Sequence, residues 1–171
     1  MKTLLDNKCT LLQIVKPDFQ KKYFEIKTGN EVHSTMELLH GDDTSARLTI
    51  SQGVFTAKRY GFFRPYVTIR REKFDENEAI AYLNVKDGTR LLTGTETYHF
   101  KMLNLWKNQW GWTTDKNQVI MRYKPAISGV QRGDIEVSKD YAYIECIDML
   151  AILGIYLLAH LEEDVNVLSQ H

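Results

Sequence analysis

The residues of this chain that could do chemistry are five histidines, two cysteines and a scatter of acids. Their spacing sets no reaction up. His33, His40, His99, His160 and His171 nowhere place a base beside a nucleophile, and no Gly-x-Ser-x-Gly elbow occurs. His160 with Glu162 and Glu163 is not the paired-histidine helix motif of a zinc protease. Cys9 and Cys146, 137 positions apart, are not a structural zinc pair, and two cysteines do not make a disulfide scaffold. They read as buried or idle thiols in a reducing cytoplasm. Asp75 and Asp115 could be imagined as paired carboxylates, yet both fall in turn sequences, where an aspartate serves its own backbone. Gly129 and Gly133 lie in a loop without the Lys-Ser/Thr of a phosphate-binding glycine loop. The expectation is a non-enzymatic protein with no metal and no cofactor.

Binding is the other possibility, and charge bears on it. The chain carries 22 basic and 22 acidic residues, which removes the simplest argument for a nucleic-acid partner. The balance conceals an uneven distribution. Lys58, Arg59, Arg64, Arg70, Arg71 and Lys73 face only Glu72 within their stretch, whereas from Asp134 onward eight acids stand against Lys139. This asymmetry makes either a basic face for an anionic partner or two sets of charges that pair on folding. Aromatic residues are densest at Tyr98, Phe100, Trp106, Trp110 and Trp112. They could form a stacking platform or a membrane-interface belt. Core packing is the simpler reading, because Trp110 and Trp112 are two apart and share a strand face.

The elements that would position these residues are strands followed by one helix. Residues 9–15, 22–26, 46–51, 54–57 and 95–100 alternate or are rich in β-formers, with turn signals at Thr28-Gly29-Asn30, Gly41-Asp42-Asp43 and Asp87-Gly88. Two hairpins, each with an Asp-x-Asn-polar turn, are expected around Asp75 and Asp115, and a short strand at 134–137. Residues 143–161 (YIECIDMLAILGIYLLAHL) then become apolar on every side, with no charge from Met149 to Ala159. A helix of that kind is buried in protein or in lipid, and a bilayer span needs about 20 apolar residues. Asp148 and the polar cluster from His160 close this run too early, so it is read as a buried core helix. Glu145 and Asp148 are expected in its exposed first turns, where the helix dipole favours acids. Gly154 is expected to let a strand or a bulky ring approach. The first residues have Asp6 and Lys8 within the apolar stretch and no small-residue cleavage site, so no signal peptide is expected. A helix apolar all round needs apolar partners all round, which a sheet supplies by closing on itself. The fold expected from the residues is a mostly antiparallel β-barrel threaded by a C-terminal helix, as one domain over 1–171.

Several of these features resemble the tubby C-terminal-like superfamily, which includes the LURP-one-related proteins and the phospholipid scramblases. They are Tyr98-His99-Phe100-Lys101, Leu105-Trp106, Trp110-Gly111-Trp112, the hairpin over 115–121, and Gly133-Asp134-Ile135-Glu136-Val137 ahead of the hydrophobic segment 141–163. The resemblance spans about residues 58–165. It implies a closed barrel of about twelve antiparallel strands around a central helix, and tubby domains bind phosphoinositides through basic surface residues. Lys58, Arg59, Arg64, Arg70, Arg71 and Lys73 are the candidates here, matched by charge alone. Scramblase-type calcium binding has no counterpart, because Glu162-Glu163-Asp164 lacks the alternating ligands and central glycine of a calcium loop.

Two functional readings follow. One is a cytoplasmic, peripherally membrane-associated module binding anionic phospholipid headgroups. The other is a structural or protein-interaction domain whose basic stretch pairs with its acidic C-terminal third. A small ligand within the barrel is not expected, because the helix fills it.

Overall fold

Alternation of apolar and polar residues builds the wall. In residues 45–50, Ala46, Leu48 and Ile50 are buried while Arg47 is exposed, and Phe55 and Ala57 repeat the pattern in the next strand. The computed structural model describes residues 11–42, 44–84, 87–126 and 130–168, with 161–168 as helix backbone only. Cys9, His171 and the side chains of the 162–164 acids therefore lie outside the described residues, as do Asp43, Lys86 and Gly129.

Twelve strands follow one another: β1 (Leu11–Val15), β2 (Tyr23–Thr28), β3 (Glu31–Leu38), β4 (Ser45–Ile50), β5 (Gly53–Tyr60) and β6 (Tyr66–Arg71), then β7 (Asn77–Tyr82), β8 (Thr89–Thr93), β9 (Glu96–Asn104), β10 (Gln109–Thr114), β11 (Val119–Pro125) and β12 (Gln131–Val137). Each pairs antiparallel with the next, and β1 pairs with β12 in the register Leu12↔Ile135, so the sheet is a closed barrel with no free edge. Both expected hairpins form, as β6–β7 and β10–β11, but their turns differ. Lys73 takes the left-handed conformation in the first and Asn117 in the second, while Asn77 belongs to β7.

The helix α1 (Ile147–Leu168) runs through the barrel. It starts later and ends later than the apolar run. Residues 143–146 form turns, with Ile147 N–H donating to the Ile144 carbonyl at 3.1 Å, so Glu145 precedes the helix. At the other end the helix continues past the apolar run to Leu168, since Glu is a good helix former. Ile147 and residues 150–157 are buried on every side against strands from the whole circumference. Asp148 corrects an expectation. It is 1% exposed rather than solvated, because the β4–β5 turn closes over it and Ser51 Oγ donates to Oδ2 at 2.6 Å. Among the described residues no helix is long and apolar enough to cross a membrane.

Gly154 does admit a ring, that of Tyr123 from β11. The Tyr123 hydroxyl shares its proton between the Leu150 carbonyl at 2.8 Å and the Ala151 carbonyl at 3.0 Å, and Trp112 Nε1 donates to Leu150 at 2.8 Å. Strand rings thus bolt the helix to one wall. Trp110 stacks on Phe100, 5.8 Å between centroids, as core packing requires. Trp106 does not follow the core-packing reading: it lies in the β9–β10 turn, 96% exposed.

Candidate functional site

Antiparallel strands put alternate hairpins at the same end of the barrel, so the loops fall into two rings. One ring surrounds the start of α1, where Ser51 meets Asp148 and Gln52 Nε2 donates to the Glu145 carbonyl at 3.4 Å. The other surrounds its exit, where the Tyr156 hydroxyl donates to the Thr44 carbonyl at 2.6 Å. Strand parity sends the six sequence-predicted basic residues to different places. Arg59 shares the inward face of β5 with Phe55 and Ala57 and reaches the exit mouth, joined there by Arg64 from the β5–β6 loop. Arg71, opposite Phe55, sits at the start mouth, with Lys73 in the turn beyond it. Lys58 and Arg70 alternate to the outer wall. The structure brings Arg59 and Arg64 together at the exit mouth, leaves Lys58 near that end but on the outer wall, and carries Arg70, Arg71 and Lys73 towards the other end.

Some of these charges are already engaged. Arg71 Nε lies 2.7 Å from Glu78, its Nη1 donates to the Gln52 carbonyl at 2.7 Å, and the guanidinium covers the Phe55 ring at 4.8 Å. Arg70 Nε donates to Asn77 Oδ1 at 2.6 Å. Lys58 Nζ is 3.3 Å from Asp42. The acids of these two ion pairs come from neighbouring strands and loops, not from the acidic C-terminal third.

Asp42 sits in the β3–β4 loop of the exit ring. The Thr44 hydroxyl, the Ser45 hydroxyl at 2.7 Å and Lys58 all stabilise its charged form and hold its carboxyl well below the usual carboxylate range. A depressed folded pKa contributes stability that is present above the unfolded value, about 3.9, and is lost as the pH falls through the folded one. Asp42→Asn removes that contribution. Melting temperatures of the two proteins should therefore differ most near neutrality and converge as the pH falls below about 4; a gap that stays constant on acidification would contradict this.

What the six-residue reading passed over is the exit ring itself. Phe62 and Phe63, on the β5–β6 loop, are 90% and 93% exposed, and Trp106 tops the β9–β10 loop of the same ring. Phe19, on the β1–β2 loop, is also exposed. Arg64 follows the two phenylalanines and Lys107 follows the tryptophan. Gly61 makes the tight β5–β6 loop possible: its φ is +78°, and a Cβ there would lie 2.8 Å from the Arg64 carbonyl oxygen. The signal was in the sequence, since Gly61-Phe62-Phe63-Arg64-Pro65 places two large rings between turn residues, where no strand can bury them.

The start ring also exposes rings, Phe74 and Tyr143, but its connections carry more acids. Glu72, Asp75 and Glu76 crowd the β6–β7 turn, and Asp115, Asp140 and Glu145 lie in the other connections at that end. Lys73, Lys116 and Lys139 share these connections and offset part of that charge. His99 Nε2 is 2.6 Å from Asp115 Oδ1 on the outer wall. Cys146, lining the start mouth, has its thiol pushed up by burial, and burial likewise raises the adjoining Tyr98 hydroxyl. A thiol held protonated is a poor nucleophile. Among the described residues no group of three or more His, Cys, Asp or Glu could hold a metal ion.

The helix fills the centre of the barrel but not its mouths. A cavity of about 750 Å³ opens beside Arg59, Arg64 and Tyr156 at the exit, and one of about 670 Å³ opens at the start. Room for a small ligand therefore exists at the mouths, beyond the centre that the helix fills. No family model, curated protein or solved structure matches this chain.

Proposed function

We propose that this protein is a non-enzymatic, peripheral membrane-docking domain of the tubby C-terminal-like kind. It seats the helix-exit end of its barrel on anionic phospholipid at a cytoplasmic membrane surface. The observation that carries this reading is the set of bare rings Phe62, Phe63 and Trp106 on two loops of one barrel end, each loop with a cation beside its rings. Large exposed rings on a soluble surface are unfavourable unless something covers them. Phe and Trp on loop tips are suited to the headgroup boundary of a bilayer, and each Lys or Arg near an anionic surface adds about 1 kcal/mol. The twelve-stranded barrel around a central helix supports the superfamily resemblance. Within the basic set, Arg59 and Arg64 belong to this docking face, and Arg70, Arg71 and Lys73 do not. A protein partner covering the same rings is the alternative.

Sedimentation with neutral and anionic vesicles at low and high salt tests the reading. Binding is expected to anionic vesicles and to weaken with salt. Arg64→Glu should weaken it by roughly tenfold or more, a charge reversal worth about 2 kcal/mol. Changing Phe62, Phe63 and Trp106 together to Ser should abolish it, whereas Arg70→Glu with Arg71→Glu should leave it nearly intact. Absence of binding to anionic vesicles at low salt would overturn the reading in favour of the protein partner.

A further inference from the structure

A separate cavity of about 420 Å³ lies between α1 and the wall at the exit end, bounded by residues from β1, β2, β11 and β12. Its lining is apolar over Ile14, Phe24, Ile155 and Leu158, and it also takes in Lys16 and Arg132. Through residues 150–157 the helix is buried on every side, but Leu158 and Ala159, which line this cavity, are only half-buried. The wall leaves that stripe of helix uncovered.

Arg132 reaches the cavity because β12 bulges. The β1–β12 register passes from Ile14↔Gly133 to Val15↔Gln131 and leaves Arg132 without a partner on β1. Gly133 allows this, with φ +145° and no room for a Cβ, which would lie 2.5 Å from the Lys124 carbonyl oxygen. A bulge of this kind re-aims a side chain. The Arg132 guanidinium lies 5.4 Å over the Phe19 ring and the Lys16 ammonium 5.8 Å over Phe24. Among the described residues neither cation has a carboxylate within ion-pair distance. Among the described residues Arg132 Nε is buried with no hydrogen-bond acceptor. A buried N–H left unpaired is costly, and an acceptor supplied from outside would satisfy it.

We propose that this cavity binds a single-chain anionic amphiphile, a fatty carboxylate or monoalkyl phosphate. Its tail lies along Ile14, Phe24, Ile155 and Leu158, and its head is held by Lys16 and Arg132. The volume falls within the range of about 300–1,000 Å³ typical of small-molecule sites. An uncharged chain would leave both cations unused, and a compact polyanion would leave the apolar walls wet. The proposal is independent of the membrane reading, since the cavity can take its ligand free in solution or from a bilayer.

The test is calorimetric titration and thermal melting of the full chain with dodecanoate below its micelle concentration, with acetate and dodecyltrimethylammonium as controls. One dodecanoate per chain should bind, and the melting temperature should rise with its concentration. Acetate should not bind, and the cationic amphiphile should bind at least tenfold more weakly. Lys16→Glu combined with Arg132→Glu should weaken dodecanoate at least tenfold, and Ala159→Trp should fill the cavity and remove binding. Equal affinity for the cationic amphiphile, unchanged affinity in the charge variant, or no saturable binding would each overturn the proposal. Vesicles of phosphatidylglycerol distinguish the source: binding lost in Ala159→Trp assigns a bilayer lipid, and binding retained there assigns a free amphiphile. Failure of all vesicle binding with dodecanoate still bound sinks the membrane reading alone.

Discussion

Gly154→Ala is expected to lower the melting temperature by about 6–12 °C, although alanine is the better helix former. Two terms of opposite sign compete. Replacing a helical glycine with alanine in open space gains about 1 kcal/mol. Here the new Cβ would stand 2.9 Å from Tyr123 Cε1 and nearer still to Cζ and the hydroxyl oxygen. The ring cannot retreat easily, because it is fully buried, its hydroxyl is bonded to the helix, and Phe100 meets it edge-on at 5.5 Å. Overpacking at such a site costs typically 1–3 kcal/mol and sometimes more. For a ring that cannot retreat the overpacking cost is expected above that range, at about 4 kcal/mol. The net loss after the helical gain is then about 3 kcal/mol, which corresponds to that fall in melting temperature for a chain of this size at about 2–4 °C per kcal/mol. Tyr123→Leu in the same chain supplies the control. The double variant should be less destabilised than the two single losses added, the mark of residues in direct contact. Additive losses would show that the ring is not what excludes the methyl group.

Trp112→Ala should cost more, about 4 kcal/mol or roughly 8–16 °C, as measured by thermal or urea unfolding. Trp112 is fully buried on the inward face of β10, 5.0 Å from Phe100 between ring centroids, and its Nε1 donates to the Leu150 carbonyl. Truncation opens a cavity at the place where wall and helix are joined. Trp112→Phe separates the contributions. It keeps most of the ring and loses one hydrogen bond of about 1 kcal/mol, while the Leu150 carbonyl keeps its helical donor. The phenylalanine variant should therefore retain more than half of what the alanine variant loses. Equal losses would place the energy in the hydrogen bond rather than in packing.

Much of the architecture was legible in local pattern. Period-two alternation, as in Ala46, Leu48 and Ile50, identifies half-buried strands, and an all-round apolar helix requires a wall on every side. Together these lead to a closed barrel around the helix. Gly154 was legible as a place of close approach, because a glycine in such a helix has few other uses. That the ring is Tyr123 was not legible, since it depends on which strand closure brings opposite Gly154. Asp148 was misread for the same reason. Its neighbours along the chain suit an exposed first turn, and only the fold brings the β4–β5 turn over it.

The candidate site divides in the same way. Counting charges along the chain grouped Lys58, Arg59, Arg64, Arg70, Arg71 and Lys73, but strand parity sends neighbours in sequence to opposite faces and a hairpin carries them to opposite ends. Trp106 stands more than forty positions beyond Phe62 and Phe63 along the chain, and the three become one surface only because alternate hairpins of an antiparallel barrel share an end. The sequence by itself determined most of the strands, though not β3 or β8, together with the helix and the need for closure, because these rest on periodicity and burial within short segments. The tertiary structure alone decided which residues form the exit ring and which cations face the amphipathic cavity, because closure, register and one bulge place side chains according to pairing partners that no local pattern names.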